Sequence, residues 1–439
     1  MRRKLMADRR RASGVGRQAR GAGESAICKQ RAGTTYLAVC GMVVLVATIS
    51  LGGLAATRVR ARAGRARNDI MDARLYAISA TEMGRLWIAQ DKNWRSDYTN
   101  GAWFSNKPIG RGSYSLTVTN PNGALNHSVT DPVVLSASGV CGKATQYAQV
   151  TLNAKTIPCT CLSAAISASS AIMIRNTVVA ANNQVVATNG AVLTIGSTVN
   201  ANVQAMGLIA GGTYNGATTT ISTAFTFPDA TVFNYYQTNG TSISIASIPG
   251  ATIQNVLLSP GSNPFGAANA NGIYVIDCQG RDLVIQKCRL VGTVVLLNPG
   301  DGTQISNSVV WSAATSNYPC LVVNGDLTIN SNGNYLSESG NYNFNPPGTP
   351  YPWPAGTSNS TMTDSYPPAV MGLIYVSGNL TLQGPEFTAN MLVAGAAFTA
   401  AGTTTLYLNY DPTYFNSPPP GFSLIQMVVA PGSWQQVVH

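Results

Sequence analysis

The sequence predicts two architectures in series. A transmembrane helix is prolonged into a small α+β unit, and a mainly-β domain follows, built as a right-handed parallel β-helix. Three observations predict this. Residues 33–57 carry no charge and have basic clusters on both sides. The stretch from Arg58 to about Asp91 has no proline and spaces its apolar residues at close to the 3.6-residue helical period. From about Ala171 short β-rich runs recur between Gly, Asn and Pro, and two of them nearly repeat. A β-sandwich made of the same short strands is the alternative for this last part.

The 439 residues are 45% hydrophobic and 10% charged, enough to bury a sizeable core, which excludes a small stapled scaffold and wholesale disorder. The formal charge of +10 is unevenly placed. Residues 1–32 carry +8 and 58–67 carry +5, whereas 113–439 carry −4. A basic groove is therefore excluded from the large C-terminal part, and no nucleic-acid partner is expected. Residues 1–32 read as a basic cytoplasmic tail.

As a helix, Gly33–Thr57 reaches about 37 Å, against a hydrocarbon core of about 30 Å. A signal peptide has a shorter apolar region, about 7–15 residues, and a buried core helix rarely has Arg clusters at both ends. The reading is a retained single-pass anchor at 33–57. The ten bases of the tail place the N-terminus in the cytoplasm by the positive-inside rule. The near flanks lean the other way, with four bases in 13–32 and six in 58–77. The Thr/Ser/Asn/Gly-rich, strand-like composition from Ser113 onward suits an exported domain and decides the orientation. The expected location is a bacterial inner membrane, with the C-terminal domain periplasmic, or extracellular in a filament.

Cysteines agree with export. Cys28 falls on the cytoplasmic side and Cys40 in the span, leaving Cys141, Cys159, Cys161, Cys278, Cys288 and Cys320 outside. That even number allows pairing in an oxidising compartment, with the connectivity open. Cys159-x-Cys161 has no second pair of ligands, and the two histidines are His127 and His439, so no metal and no cofactor are expected.

After the anchor, residues 58–155 form the α+β unit. Ile70, Ala73, Tyr76/Ala77, Ala80, Met83/Gly84 and Trp87/Ile88 make an apolar stripe that needs a globular cover. Strand-like Ser113–Thr119, Pro132–Val140 and Gln146–Asn153, separated by turn-rich segments, supply it.

These residues carry a resemblance. A basic tail and Gly33, an apolar span, and then Ala-x-x-Ala-Thr-Glu-Met-Gly at Ala77–Gly84 resemble the PilX-type minor pilins of type IV pilus assembly. Asp91-Lys-Asn-Trp-Arg95 and Ile109-Gly-Arg-Gly-Ser-Tyr-Ser-Leu-Thr-Val118 are similar to the family's next stretch, and the likeness covers roughly residues 30–155. It implies a pilin-like unit and other pilins or pseudopilins as partners. It also implies prepilin-peptidase cleavage between Gly33 and Thr34. The glutamate that a pilin carries five residues after that glycine is Ala38 here, a departure from the pattern. Read from the residue alone, Gly33 is equally a helix-start glycine.

Residues 156–439 form the β-rich exported domain. Leu321-Val-Val-Asn-Gly-Asp-Leu-Thr-Ile329 aligns with Ile374-Tyr-Val-Ser-Gly-Asn-Leu-Thr-Leu382, 53 residues later. A strand–turn–strand with Gly at the corner suits a stacked coil, and 171–439 would make about ten rungs at the usual repeat lengths. The Pro-rich insertion 346–368 cannot be a central strand. Its Tyr351, Trp353 and Tyr366 are candidate partner-binding aromatics, with a surface glycan as one candidate partner; alternatively they lie down on the coil and cover it.

A glycosidase needs two carboxylates across one cleft. Asp277 and Asp282, with Arg281 between them, are the only close group, and they read as a turn salt bridge. A serine triad lacks its histidine, and no phosphate-binding glycine loop is present. No catalytic residue is assigned, and the protein is not expected to be an enzyme. The reading is a membrane-anchored pilin-like envelope protein, a minor component of a type IV pilus or type II secretion pseudopilus. The alternative is an anchored carbohydrate-binding or carbohydrate-active β-helix.

Overall fold

The computed structural model describes residues 31–346, 360–402 and 405–437. Its first element, α1 (Arg31–Gln90), is one continuous helix of 60 residues, about 90 Å long. With no proline in it, nothing breaks the hydrogen-bond ladder between the apolar span and the amphipathic half. Its second half packs on an antiparallel sheet of β1 (Gly101–Ile109), β2 (Gly112–Thr119), β3 (Val133–Cys141) and β4 (Ala144–Pro158). This is the pilin-like arrangement, a long apolar helix lying on a small antiparallel sheet.

The packing explains the small residues of the helix. Ala73, Ala77, Ala80, Thr81 and Gly84 are all buried on the face toward the sheet. A side chain at Gly84 would collide with Leu116 and Leu135, which fill the space above it. On the sheet side, Gly139 lies so close to the helix that a Cβ there would overlap the Ala73 carbonyl oxygen. Along β3, residues alternate between buried and half-buried, as a sheet with one covered face requires. The expected stripe is offset at its start, because Ile70 is 47% exposed while Asp69 and Asp72 turn toward Arg111.

The sheet is larger than the three strands expected. β1 joins one edge, and its register shifts at Ala102/Phe104 and Phe104/Lys107 break the period of two that would have revealed it. On the other side of β4 lie Ser423–Val429 and Gln435–Val437, both antiparallel to it. The end of the chain therefore returns to the first sheet, and the large β domain is inserted between strands of the pilin-like unit. A boundary near residue 155 separates the two folds locally but not the whole C-terminal segment.

Every strand pair of the large sheet is parallel, which excludes the β-sandwich and makes it a β-helix with three faces. The chain enters this coil in its middle. Ile166–Ala168 pairs with Val178–Thr188 on one side and with Glu386–Ala394 on the other. The first leg winds outward to Thr218–Thr220. The chain then crosses through the helix Val232–Asn239 and restarts at the opposite end with Thr241–Ser244. From there it winds back until Thr405–Leu408 stacks on Val178–Thr188.

The near-repeat is two adjacent turns in register, with Leu321 on Ile374 and Leu327 on Leu380. Its 53-residue spacing is one turn enlarged by an insertion. The corner glycines have different reasons to be glycine. Gly325 has φ +150°, whereas Gly378 has no positive φ but sits against the Gly325 carbonyl and Asp326. Asp326 accepts hydrogen bonds from the Asn379 backbone N–H at 2.7 Å and its side-chain amide at 3.1 Å, tying one turn to the next.

Strands of the first face are apolar on both sides. Tyr274, Ile276 and Leu296 point into the coil, while Ile273, Val275 and Val295 pack outward beneath Val232, Phe233 and Tyr236 of the crossing helix. The described cysteines are free. Cys278 and Cys288 both fill the coil's core without forming a disulfide, and burial raises the Cys278 thiol to about 11.

Candidate functional site

The first half of α1 is the most exposed apolar surface among the described residues. Leu37, Val46 and Leu54 are 71%, 60% and 58% exposed, and no residue from Tyr36 to Asn68 is buried. This helix is long and apolar enough to cross a membrane, and its most apolar 18-residue stretch is buried nowhere. Arg58, Arg60, Arg62, Arg65 and Arg67 follow it immediately, all exposed and with no ion pair among the described residues. An apolar cylinder ending in a ring of guanidinium groups fits a hydrocarbon core bounded by a headgroup layer.

Gly33 and Thr34 lie in the first turn of this helix. Tyr351 and Trp353 lie outside the described residues. Tyr366 is not an exposed docking aromatic: it is 1% exposed, and its hydroxyl donates to Glu338 Oε1 at 3.2 Å. It lies on the coil, with the Arg289 guanidinium 5.8 Å from its ring centre.

Glu338 is a residue that sequence reasoning passed over. It is fully buried, and it also accepts from the backbone N–H groups of Phe344, at 2.6 Å, and Asp364, at 3.1 Å. Arg289, also buried, donates to the Phe344 carbonyl at 2.8 Å and to Asn345 Oδ1 at 3.1 Å. Together these two charged groups hold both ends of the insertion against the third face of the coil. Burial pushes the Arg289 value down and the Tyr366 value up.

Asp277, Arg281 and Asp282 do not form the expected turn salt bridge, since no ion pair links them among the described residues. Asp277 Oδ1 accepts from the Gln279 N–H at 3.0 Å and from the Asn298 amide at 3.1 Å. Asp282 Oδ1 accepts from the Gly302 N–H at 2.8 Å. Each carboxylate is engaged in joining one turn of the coil to the next. Among the described residues no cluster of three or more His, Cys, Asp or Glu could hold a metal ion.

The pilin-like unit carries its own polar centre at Asp131. Its carboxylate accepts from Asn120 at 2.9 Å and Asn122 at 3.1 Å, and His127 Nδ1 lies 2.8 Å away. These bonds, with Asn120 first and His127 second, hold Asp131 down at about 2. A carboxylate depressed when folded stabilises fully above its unfolded value of about 3.9, and this stabilisation is lost as pH falls through the folded value. We expect the loop Asn120–Asp131 to loosen between about pH 4 and pH 2. Hydrogen exchange across that window checks this, and Asp131→Asn should remove the pH dependence while weakening the loop at neutral pH.

A further cavity of 300 Å³ opens where α1 ends, lined by Trp87, Gln90, Asp91, Trp94, Tyr98 and Trp103. Its residues come from the last turn of the helix, the short turn Trp94–Asp97, β1, and the connecting residues Asp91 and Tyr98. The sequence signal for it is four aromatic residues within 17 positions, diluted by the irregular backbone between them.

No protein-family model matches the chain, and no curated protein matches it. Among solved structures it is similar to the competence-associated pilin ComZ from Thermus thermophilus, at 11% identity, covering 84% of this chain and 97% of that chain. The TM-score of that match is 0.30, too low to carry an argument about this chain's role.

Proposed function

We propose that the chain is a membrane-anchored, pilin-like component of a bacterial cell envelope, a minor structural or assembly subunit of a type IV pilus or type II secretion pseudopilus. The observation that carries this is the division of α1. One half lays a face on its own sheet, and the other is apolar and uncovered over more than 20 residues. Such a surface is stable only in lipid or against like helices. In this reading the N-terminus is cytoplasmic and neighbouring pilins or pseudopilins pack along the exposed half. The β-helix is displayed outside as a non-enzymatic surface. The use of Asp277 and Asp282 as turn-to-turn hydrogen-bond acceptors supports the non-enzymatic part.

The test is co-purification of tagged full-length protein from membranes of its own host. Pilins or pseudopilins should accompany it, and deletion should impair filaments or secretion. Absence of any pilin, with filaments and secretion intact in the deletion strain, would sink the proposal. Leu45→Arg should abolish both membrane recovery and association, because Arg at mid-span costs about 2.5–3.5 kcal/mol on insertion scales. Intact-mass measurement on the same sample reports whether the chain is cut between Gly33 and Thr34.

A further inference from the structure

The cavity at the end of α1 is built from rings that are inclined to one another. Trp94 and Trp103 have centroids 6.1 Å apart at 62°, and Trp87 and Tyr98 have centroids 6.4 Å apart at 50°. Tyr98 stacks on Trp103 at 4.6 Å, and Phe104 braces Trp87 edge-on at 4.5 Å, so the walls are fixed by packing. Coplanar rings in a row would make a platform for sugar faces. Here only Tyr98 and Trp103 are stacked, and the other ring pairs stand at steep angles, so the open space is bordered by aromatic rings of several inclinations.

Three features favour a cation in this cavity. Aromatic faces carry the negative side of a quadrupole. Asp91 lines the cavity and has no ion-pair partner among the described residues; its Oδ1 accepts from the Asn93 N–H at 2.8 Å. The cavity also lies at the C-terminal, negative end of the α1 dipole, whose last turn holds no basic residue. Two cations stand nearby, Lys92 and Arg95, and neither lines the cavity. The Arg95 guanidinium lies over the Trp94 ring, 4.4 Å from its centre, and donates to the carbonyls of Leu125 and Asp131.

We propose that this cavity binds a quaternary ammonium group of the choline class. A primary ammonium brings three N–H donors to satisfy, and the side-chain acceptors of the lining are one carboxylate, one amide and the Tyr98 hydroxyl at the rim of an otherwise aromatic wall. A methylated ammonium has no donors to satisfy and is stabilised by ring faces and a nearby carboxylate. The anchoring bilayer is not its source. Residues 57 to 87 are helical throughout, which sets the cavity about 45 Å from the end of the span. The ligand is therefore carried by something outside the membrane. This proposal stands independently of the pilus reading.

The experiment is a titration of the full-length protein in detergent, with choline and its uncharged isostere 3,3-dimethylbutanol, followed by tryptophan fluorescence and calorimetry. Choline should bind at least about tenfold tighter than the isostere, the equivalent of about 1.4 kcal/mol. Asp91→Asn keeps the acceptor for the Asn93 N–H; it should weaken choline several-fold and leave the isostere unchanged. Trp103→Ala should weaken both. Equal affinity for choline and the isostere in the wild-type protein overturns the proposal without need of any variant. Tighter binding of ethylammonium or of a disaccharide than of choline also overturns it, in favour of a lysine side chain or a glycan.

Discussion

Gly139→Val is expected to separate the second half of α1 from its sheet. The new Cβ would overlap the Ala73 carbonyl oxygen and lie 2.6 Å from the Ala77 backbone nitrogen and 2.9 Å from the Tyr76 Cβ. Overpacking a core usually costs about 1–3 kcal/mol because side chains can shift. Here the obstacle is helix backbone, so the helix itself must lift, and the contacts of Ala73, Ala77 and Ala80 go with it. The loss should be about 3 kcal/mol or more. Thermal unfolding of full-length protein in detergent, with hydrogen exchange over residues 73–84, would register it. Ser138→Ala, on the alternate face of the same strand, is the control and should be nearly neutral. An unchanged melting profile for Gly139→Val would show that helix and sheet are not closely packed.

Glu338→Ala should release the insertion from the coil. The substitution strips acceptors from two backbone N–H groups and the Tyr366 hydroxyl, all in a buried site, and leaves Arg289 without the nearby carboxylate. Leaving a buried donor without its acceptor costs about 1–3 kcal/mol, and three donors are affected, so the loss should be about 3 kcal/mol or more. Glu338→Gln should be milder, because one oxygen can still serve both Phe344 and Tyr366. Limited proteolysis distinguishes the outcomes: cleavage between residues 331 and 346 should accelerate strongly in the alanine variant and weakly in the glutamine variant. Equal resistance in all three proteins would mean that the insertion is held by other contacts.

The order of elements was legible because each rests on a local pattern. An uncharged run of 25 residues with basic flanks defines a span, and an uninterrupted 3.6-residue period defines a helix. Recurrent short strands with Gly at the corners define a stacked coil. The expected contact stripe holds from Ala73 to Ile88 apart from the exposed Trp87, for the same reason, and fails at Ile70, where Arg111 draws Asp69 and Asp72 toward the sheet. Where local pattern was broken, as by the bulges of β1, the element went unread.

What only the tertiary structure decided are the relations between distant segments, which no local period encodes. The sequence by itself determined a membrane-length helix, a small sheet to cover its second half, and a β coil with a 53-residue near-repeat. It could not show that Ile166–Ala168 would stack on Glu386–Ala394, or that Ser423–Val429 would close the first sheet. Parallel pairing joins strands of any sequence separation if their inward residues match in size, and aliphatic residues of similar volume match almost everywhere in this coil. The aromatic cavity and the buried Glu338 centre were unreadable for a related reason. Their chemistry depends on groups meeting across turns, and a tryptophan or a glutamate looks the same in the sequence whether it meets solvent or a partner.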